Sequence, residues 1–271
     1  MERLDTKYQQ LLNYFRNLES VAIAFSGGVD STFLLAAAKE ALDSKTIGIT
    51  IDSPSFSRKE LDDSIRLSAQ IGAKHVILTD HKIEEEIRFN PENRCYFCKK
   101  MEFGNIINEA NRLGFKWVID GSNADDLNDY RPGQKAIKEL QVKSPLMELG
   151  FTKEEIRTLS KKMGLETWDK PAAACLYSRI PYGSEIKPDD LRKVEQSEDY
   201  LQSIGFRQVR VRCHDKLARI EVSKSDMNRL FDESIRLEVY KQLKTYGFDY
   251  ITVDILGYRM GGSYNELIGR K

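Results

Sequence analysis

A serine–glycine turn, four cysteines and a run of aspartates are the residues in this 271-residue chain whose types and spacing can do chemistry. The turn is Ser26-Gly27-Gly28-Val29-Asp30-Ser31. It is entered from the apolar run Val21–Phe25 and followed by Phe33, Leu34, Leu35, Ala38 and Leu42 at helical spacing. Strand, glycine turn and helix N-terminus in that order make an anion site, because exposed N–H groups and the helix dipole both favour negative charge. Two adjacent glycines let the backbone turn tightly and approach a phosphate. The turn has neither the lysine of G-x-x-x-x-G-K-[ST] nor the spacing of G-x-G-x-x-G. An ordinary strand–helix turn with serines capping the helix is the plain alternative.

Cys95 and Cys98 form a C-x-x-C at the start of a predicted helix. Two thiolates at that spacing can reach one metal, and a helix N-terminus lowers thiol pKa values. Half a zinc site, a redox pair, iron–sulfur ligands and two buried apolar cysteines all fit the spacing alone. Cys175 follows three alanines, which leave space around the sulfur, and precedes Ser178 and Arg179, which can bind an anionic substrate. A buried linker cysteine is the alternative. In Val209-Arg210-Val211-Arg212-Cys213-His214 the side chains alternate, which puts Cys213 on the apolar face. Arg210 and Arg212 share the other face and suit a phosphate or carboxylate, unless that face is simply solvated. In the loop 121–135, Asp125, Asp126 and Asp129 offer oxygens to Mg²⁺, and Arg131 offers a positive charge to a phosphate.

The elements that must position these residues alternate. Strands are predicted at Val21–Phe25, Thr46–Ile51, His75–Thr79 and Trp117–Asp120. A helix opens at the capping box Ser57-x-x-Glu60 and another at Thr152-x-x-Glu155, and a third is predicted over Tyr96–Leu113. This rhythm predicts a doubly wound parallel α/β sheet with helices on both faces, and ligands at the carboxyl ends of its strands. Ser26, Asp52, Asp80 and the segment 121–126, with Asn123, all follow strands and are expected to gather there. After about residue 185 the rhythm changes to a helix at Pro188–Ile204, strands at Gln208–Cys213 and Ala218–Val222, two helices and a strand at Tyr250–Ile255. The expected domains are 1–170, a linker 171–185 and a small α+β domain 186–271.

Lys plus Arg and Asp plus Glu both number 42, so net charge is zero and a nucleic-acid partner is not expected. No signal peptide or transmembrane run is visible, so a cytoplasmic protein with reduced thiols and no membrane partner is expected.

The string Ser-Gly-Gly-x-Asp-Ser resembles the pyrophosphate loop, or PP-loop, of the N-type ATP pyrophosphatases, which split ATP between its α- and β-phosphates. The resemblance implies that Ser26, Gly27, Gly28 and Ser31 hold pyrophosphate and that Asp30 places Mg²⁺. Asn128–Gly133, Cys175 with Ser178–Gly183, Val209–Arg212 and Ala218–Glu221 extend the likeness over nearly the whole chain. Together they resemble the LarE family, ATP-dependent sulfur insertases of nickel-pincer nucleotide cofactor synthesis. That family adenylylates a carboxylate of pyridinium-3,5-biscarboxylic acid mononucleotide and converts it to a thiocarboxylate. The resemblance implies catalytic roles for Asp30 and Cys175, and an ATP site that includes Asp52, Asn123, Asp126 and Arg131. It also implies a substrate site of Ser178, Arg179, Arg210 and Arg212. Some members sacrifice the sulfur of a single cysteine at the Cys175 position and are left with dehydroalanine. This chain departs from them by adding Cys95 and Cys98, and resembles the members in which three cysteines bind a [4Fe–4S] cluster whose open iron carries sulfide. The implied partners are a small-molecule nucleotide, sulfide or another sulfur donor, and further copies in a homo-oligomer. A tRNA thiolase and an amide-forming synthetase such as NAD synthetase share the loop. A non-enzymatic nucleotide-binding module would not need Cys175-x-x-Ser178-Arg179.

Overall fold

The computed structural model describes residues 2–128, 132–171 and 174–259. The chain divides into two compact units, Met1–Lys82 with Asn93–Ala173, and Ile83–Glu92 with Ala174–Lys271. No helix among the described residues is long and apolar enough to cross a membrane.

The first unit begins with α1 (Glu2–Leu18), β1 (Val21–Ala24), α2 (Val29–Leu42), β2 (Thr46–Asp52), α3 (Arg58–Ile71) and β3 (Lys74–Thr79). The chain crosses to the second unit for α4 (Glu85–Arg88). It returns for α5 (Arg94–Arg112), β4 (Trp117–Ile119), α6 (Gly133–Glu139), α7 (Pro145–Glu148) and α8 (Lys153–Lys162). The four strands form one parallel sheet in the order β3-β2-β1-β4. Ile23 of β1 stands opposite Gly48 of β2 and Ile119 of β4. Parallel strands covered on both faces read as unbroken apolar runs, which is why Val21–Phe25 is legible, while Thr46–Ile51 is legible by its β-branched residues. Two clusters lie on the two faces. Ile23 joins Phe15, Phe33 and Phe151 under α1, α2 and α8, and Ala22 joins Ile47, Ile49, Phe103 and Ile106 under α5. The Thr152 capping box forms with both reciprocal bonds. Ser57 accepts the Glu60 N–H at 3.2 Å, and Gly72 ends α3 at φ +70°.

The second unit contains α9 (Pro188–Ser203), β5 (Val209–His214), β6 (Leu217–Val222), α10 (Met227–Leu230), α11 (Glu233–Thr245) and β7 (Tyr250–Val253). Its sheet runs β5-β6-β7, with β5 antiparallel and β7 parallel to β6. The segment 83–92 is stitched in by main-chain bonds, Gly183 N to Asn90 O at 3.1 Å and Ile186 N to Arg88 O at 2.8 Å. The buried Asn90 amide donates to Ile180 O at 2.6 Å and Pro181 O at 3.0 Å.

Candidate functional site

Crossovers lead outward from β1 to β2 and β3, and the chain then comes back to the other side of β1 for β4. The crevice beyond the carboxyl ends of two strands at such a reversal receives the ligand in open α/β sheets. The loop after β1 and the loop after β4 line it. A Cβ on Gly121 would lie 3.4 Å from the Asp30 Cβ and 3.6 Å from Ser31 N.

Gly28 caps α2 in an extended conformation without a side-chain bond. Ser26 N donates to Ser31 Oγ at 3.3 Å, and the two hydroxyls are 3.1 Å apart. The first helical bond is Thr32 N to Gly28 O at 3.0 Å. Among the described residues no acceptor takes the N–H groups of Gly28, Val29, Asp30 and Ser31. Such a fan of donors at the positive end of a helix is a receptor for phosphate oxygens. Gly27 has φ +66°, and a Cβ there would lie 3.2 Å from Ser64 N on α3, so the left-handed turn and the close approach both require glycine.

Asp30 sits in the first turn of α2. It accepts from Asn123 Nδ2 at 3.5 Å and from the Lys153 ammonium. Burial pushes the Asp30 carboxyl above its usual range, Lys153 opposes this, and the charge of Asp126 adds to it. Asn123 N donates to Asp126 Oδ2 at 3.0 Å, and Lys153 N donates to Asp125 Oδ2 at 2.8 Å, which holds the loop against the start of α8. Mg²⁺ is usually held by one or two carboxylates together with substrate phosphates. Asp30 and Asp126 fit a Mg²⁺ that arrives with a nucleotide. Among the described residues no group of three or more His, Cys, Asp or Glu could hold a metal alone. Asp52, at the end of β2, is paired with Arg58 and has His81 Nε2 at 3.9 Å. Arg131, like Asp129, lies outside the described residues.

Three cations of this site are not singled out by the sequence reading. Lys153 reaches Asp30. Arg157, one turn further along α8, donates to Trp168 O at 2.6 Å and Lys170 O at 2.7 Å. Lys170 donates to Gly27 O at 3.1 Å and Asp63 Oδ2 at 2.8 Å. Lys153 and Arg157 lie on the helix that the capping box announces, at i and i+4, and that spacing was the available clue.

Cys95 and Cys98 lie in the first turn of α5, both partly exposed. The buried Arg94 guanidinium donates to Cys95 Sγ at 3.7 Å. This pair belongs to the first unit, whereas Cys175 belongs to the second, and no third ligand joins it among the described residues.

In the second unit Cys175 is exposed at the head of the 3₁₀ turn Leu176–Arg179. Its carbonyl accepts from Ser178 N at 3.0 Å, Ser178 Oγ at 2.8 Å and Arg179 Nη1 at 2.9 Å. Arg179 is 4% exposed and grips Glu198 through Nε at 2.9 Å and Nη2 at 2.8 Å. Glu198 in turn accepts from Val211 N at 2.9 Å. Arg212 grips Glu221 at 2.9 and 3.0 Å and donates to Ser178 O at 2.7 Å. These guanidiniums therefore fix the turn that carries Cys175. The alternation of β5 does not divide core from solvent: Arg210 and Arg212 are buried like Val209 and Val211, with the 3₁₀ turn, Glu221 and Tyr258 against their side chains. Arg210 donates to Val209 O at 2.6 Å and lies over the Tyr258 ring. Burial and the neighbouring Arg179 charge push its pKa down, against the pull of Glu198. Cys213 is core, its thiol pushed up to about 12 by burial.

The asparagine synthase family model matches residues 14–228. Pyridinium-3,5-bisthiocarboxylic acid mononucleotide synthase of Lactiplantibacillus plantarum is 36% identical over 96% of this chain and 95% of its own. An uncharacterized protein of Synechocystis sp. is 41% identical over 95% of this chain and 97% of its own. A tRNA-specific 2-thiouridylase of Caldanaerobacter subterraneus is 26% identical over 66% of this chain and 61% of its own. The open N–H fan at the sheet's reversal and the full-length likeness agree: the chain belongs to the LarE family of ATP-dependent sulfurtransferases.

Proposed function

We propose that this protein adenylylates a carboxylate of pyridinium-3,5-biscarboxylic acid mononucleotide and converts it to a thiocarboxylate. The observation that carries the reading is the fan of N–H donors from Gly28 to Ser31, set in a chain similar over its full length to a synthase of the bisthiocarboxylic product. A carboxylate accepts a sulfur nucleophile only once its oxygen has become a good leaving group. The substrate oxygen attacks the α-phosphorus of ATP, and pyrophosphate leaves into the donors of the Ser26–Ser31 loop. Asp30 and Asp126 would hold a Mg²⁺ that accompanies those phosphates, and it would supply charge neutralisation there. The sulfur nucleophile then attacks the acyl carbon, AMP leaves, and the thiocarboxylate remains.

Cys175, exposed on a turn held by Arg179 and Arg212, is the proposed entry point for sulfur. The buried guanidiniums beside it, Arg179 and Arg212 on Glu198 and Glu221 with Arg210 between them in sequence, are the proposed site of an anionic substrate. Cys95, Cys98 and Cys175 are the proposed ligands of a [4Fe–4S] cluster, which when bound would supply sulfide to the activated carboxylate. Iron content and visible absorbance of anaerobically purified protein decide between this and sacrifice of Cys175. In the second case the mass of Cys175 falls to that of dehydroalanine after one turnover.

The test of the activity is product analysis with the dicarboxylate nucleotide, ATP, Mg²⁺ and sulfide. AMP, pyrophosphate and a thiocarboxylate support the reading; ADP and orthophosphate, or an amide formed equally well from ammonia, overturn it. A tRNA thiolase is the second reading, carried by the 26% likeness to a 2-thiouridylase, and the neutral net charge weighs against it.

A further inference from the structure

Gly27 stands one residue before the N-cap Gly28, so its carbonyl lies outside the ladder of α2, whose first bond is accepted by Gly28 O. It accepts from Lys170 Nζ at 3.1 Å. A peptide unit is planar and trans, so its C=O and its N–H point in opposite directions. Whatever holds the Gly27 carbonyl therefore also aims the Gly28 N–H, the first donor of the fan.

Lys170 is itself fixed from three sides within the first unit. Its ammonium also binds Asp63 Oδ2 at 2.8 Å, one residue before Ser64, whose backbone backs Gly27. Its carbonyl accepts from Arg157 Nη2 at 2.7 Å. Asp63 accepts from Arg66 Nη2 at 2.9 Å, and Arg66 also pairs with Glu166 in the same strap of chain as Lys170. The two cations hold the Asp63 carboxyl below its usual range although burial pushes the other way. The strap 166–170, α3 and α8 thus close a bracket around one carbonyl of the loop.

We propose that Lys170 is a positioning residue for ATP: by holding the Gly27–Gly28 peptide it aims the loop's donors at the β- and γ-phosphates, without itself touching the nucleotide. The inference rests on reading Ser26–Ser31 as the pyrophosphate site.

The test measures binding of Mg·ATP, pyrophosphate and AMP by calorimetry to the wild type, Lys170→Met and Lys170→Arg, with thermal unfolding of each. Lys170→Met keeps the length of the side chain and removes the donor. The expected result is a loss of about tenfold or more in affinity for ATP and pyrophosphate, the loss of one charge-assisted bond's worth of alignment. AMP, which carries no β- or γ-phosphate, is expected to bind within about twofold of wild type. Lys170→Arg, which keeps a cationic donor, is expected to recover most of the loss. Equal binding of ATP by Lys170→Met and wild type overturns the inference and leaves the loop assignment intact. A parallel loss of AMP and ATP also overturns it, because it marks a merely structural lysine. A wild type that binds neither ATP nor pyrophosphate overturns the loop assignment and the inference with it.

Discussion

Arg210 and Arg212 stand two residues apart on one strand and carry different burdens. Arg212 is bound bidentately by Glu221, which is itself only 3% exposed. Arg212→Ala takes two charge-assisted bonds from Glu221, which keeps Arg219 Nη2 at 3.2 Å, and is therefore expected to lower stability by about 1.5–3 kcal/mol in a urea titration, whatever it does to substrate. A cost under about 1 kcal/mol would show that Arg219 and water together compensate Glu221. Arg210, on the same face of the strand, is the better probe of substrate, because its removal does not break the Glu221 pair. Arg210→Gln is expected to weaken binding of the mononucleotide about tenfold while ATP binding stays near wild type; unchanged mononucleotide affinity removes Arg210 from the substrate site. His75 is a second residue with a measurable signature. Its ring lies 2.7 Å from Thr50 Oγ1, 3.1 Å from Ser68 Oγ and edge-on to Phe25 at 5.5 Å. Burial pulls its pKa below the usual 6.5. Between 6.5 and the lower folded value the unfolded chain binds more protons, so stability rises with pH across that window and is lost as pH falls below 6.5. His75→Asn is expected to flatten the stability curve there, and an equally steep curve in the variant assigns the slope to another group.

At the scale of elements, the Ser26–Ser31 loop does its work because two glycines stand between a buried strand and a long helix. Gly27→Ala meets both a left-handed φ of +66° and the Ser64 backbone at 3.2 Å. The conformation alone costs about 1–2 kcal/mol. The variant is expected to lose ATP binding before it loses the fold, checked by comparing nucleotide titration with thermal unfolding. Strand β1, the loop and the N-terminus of α2 were legible in the sequence because their signals are local: an apolar run, a glycine pair, then a 3.6-residue period. The capping box at Thr152 was legible for the same reason. Lys153 and Lys170 were not, because each takes its meaning from a partner far along the chain: Asp30 lies 123 residues from Lys153, and Gly27 lies 143 from Lys170. The face of Arg210 and Arg212 was ambiguous for a related reason. Alternation reports two faces of a strand, and only the Ser178 carbonyl on Arg212 and the Tyr258 ring at Arg210 show that the polar face is covered.

On the scale of the whole molecule, the chain passes between its two units three times, after Lys82, after Glu92 and before Ala174. No local pattern marks the segment 83–92 as part of the second unit, and its ties are long-range: Asn90 to Ile180 spans 90 residues, and Arg88 to Glu185 spans 97. A fragment starting at Ala174 lacks a buried piece of its own fold, including Ile87 at 2% exposure. Such a fragment is expected to show no cooperative thermal transition, and one in which 83–92 is joined ahead of Ala174 by a flexible linker is expected to regain it. A cooperative transition in the short fragment would show that the segment is dispensable.

The same threading sets a timetable for synthesis. At 5–20 residues per second, Asn90 leaves the ribosome roughly 5–20 s before Ile180 exists to receive its amide. During that interval Ile87 has no apolar neighbours of its own unit to shield it. Nascent chains arrested between residues 92 and 173 are expected to be cut by protease within 83–92 and to recruit holdase chaperones there, while released full-length chains resist. The second unit thus folds last, whatever the intrinsic speed of its short strands, because a piece of it is made first.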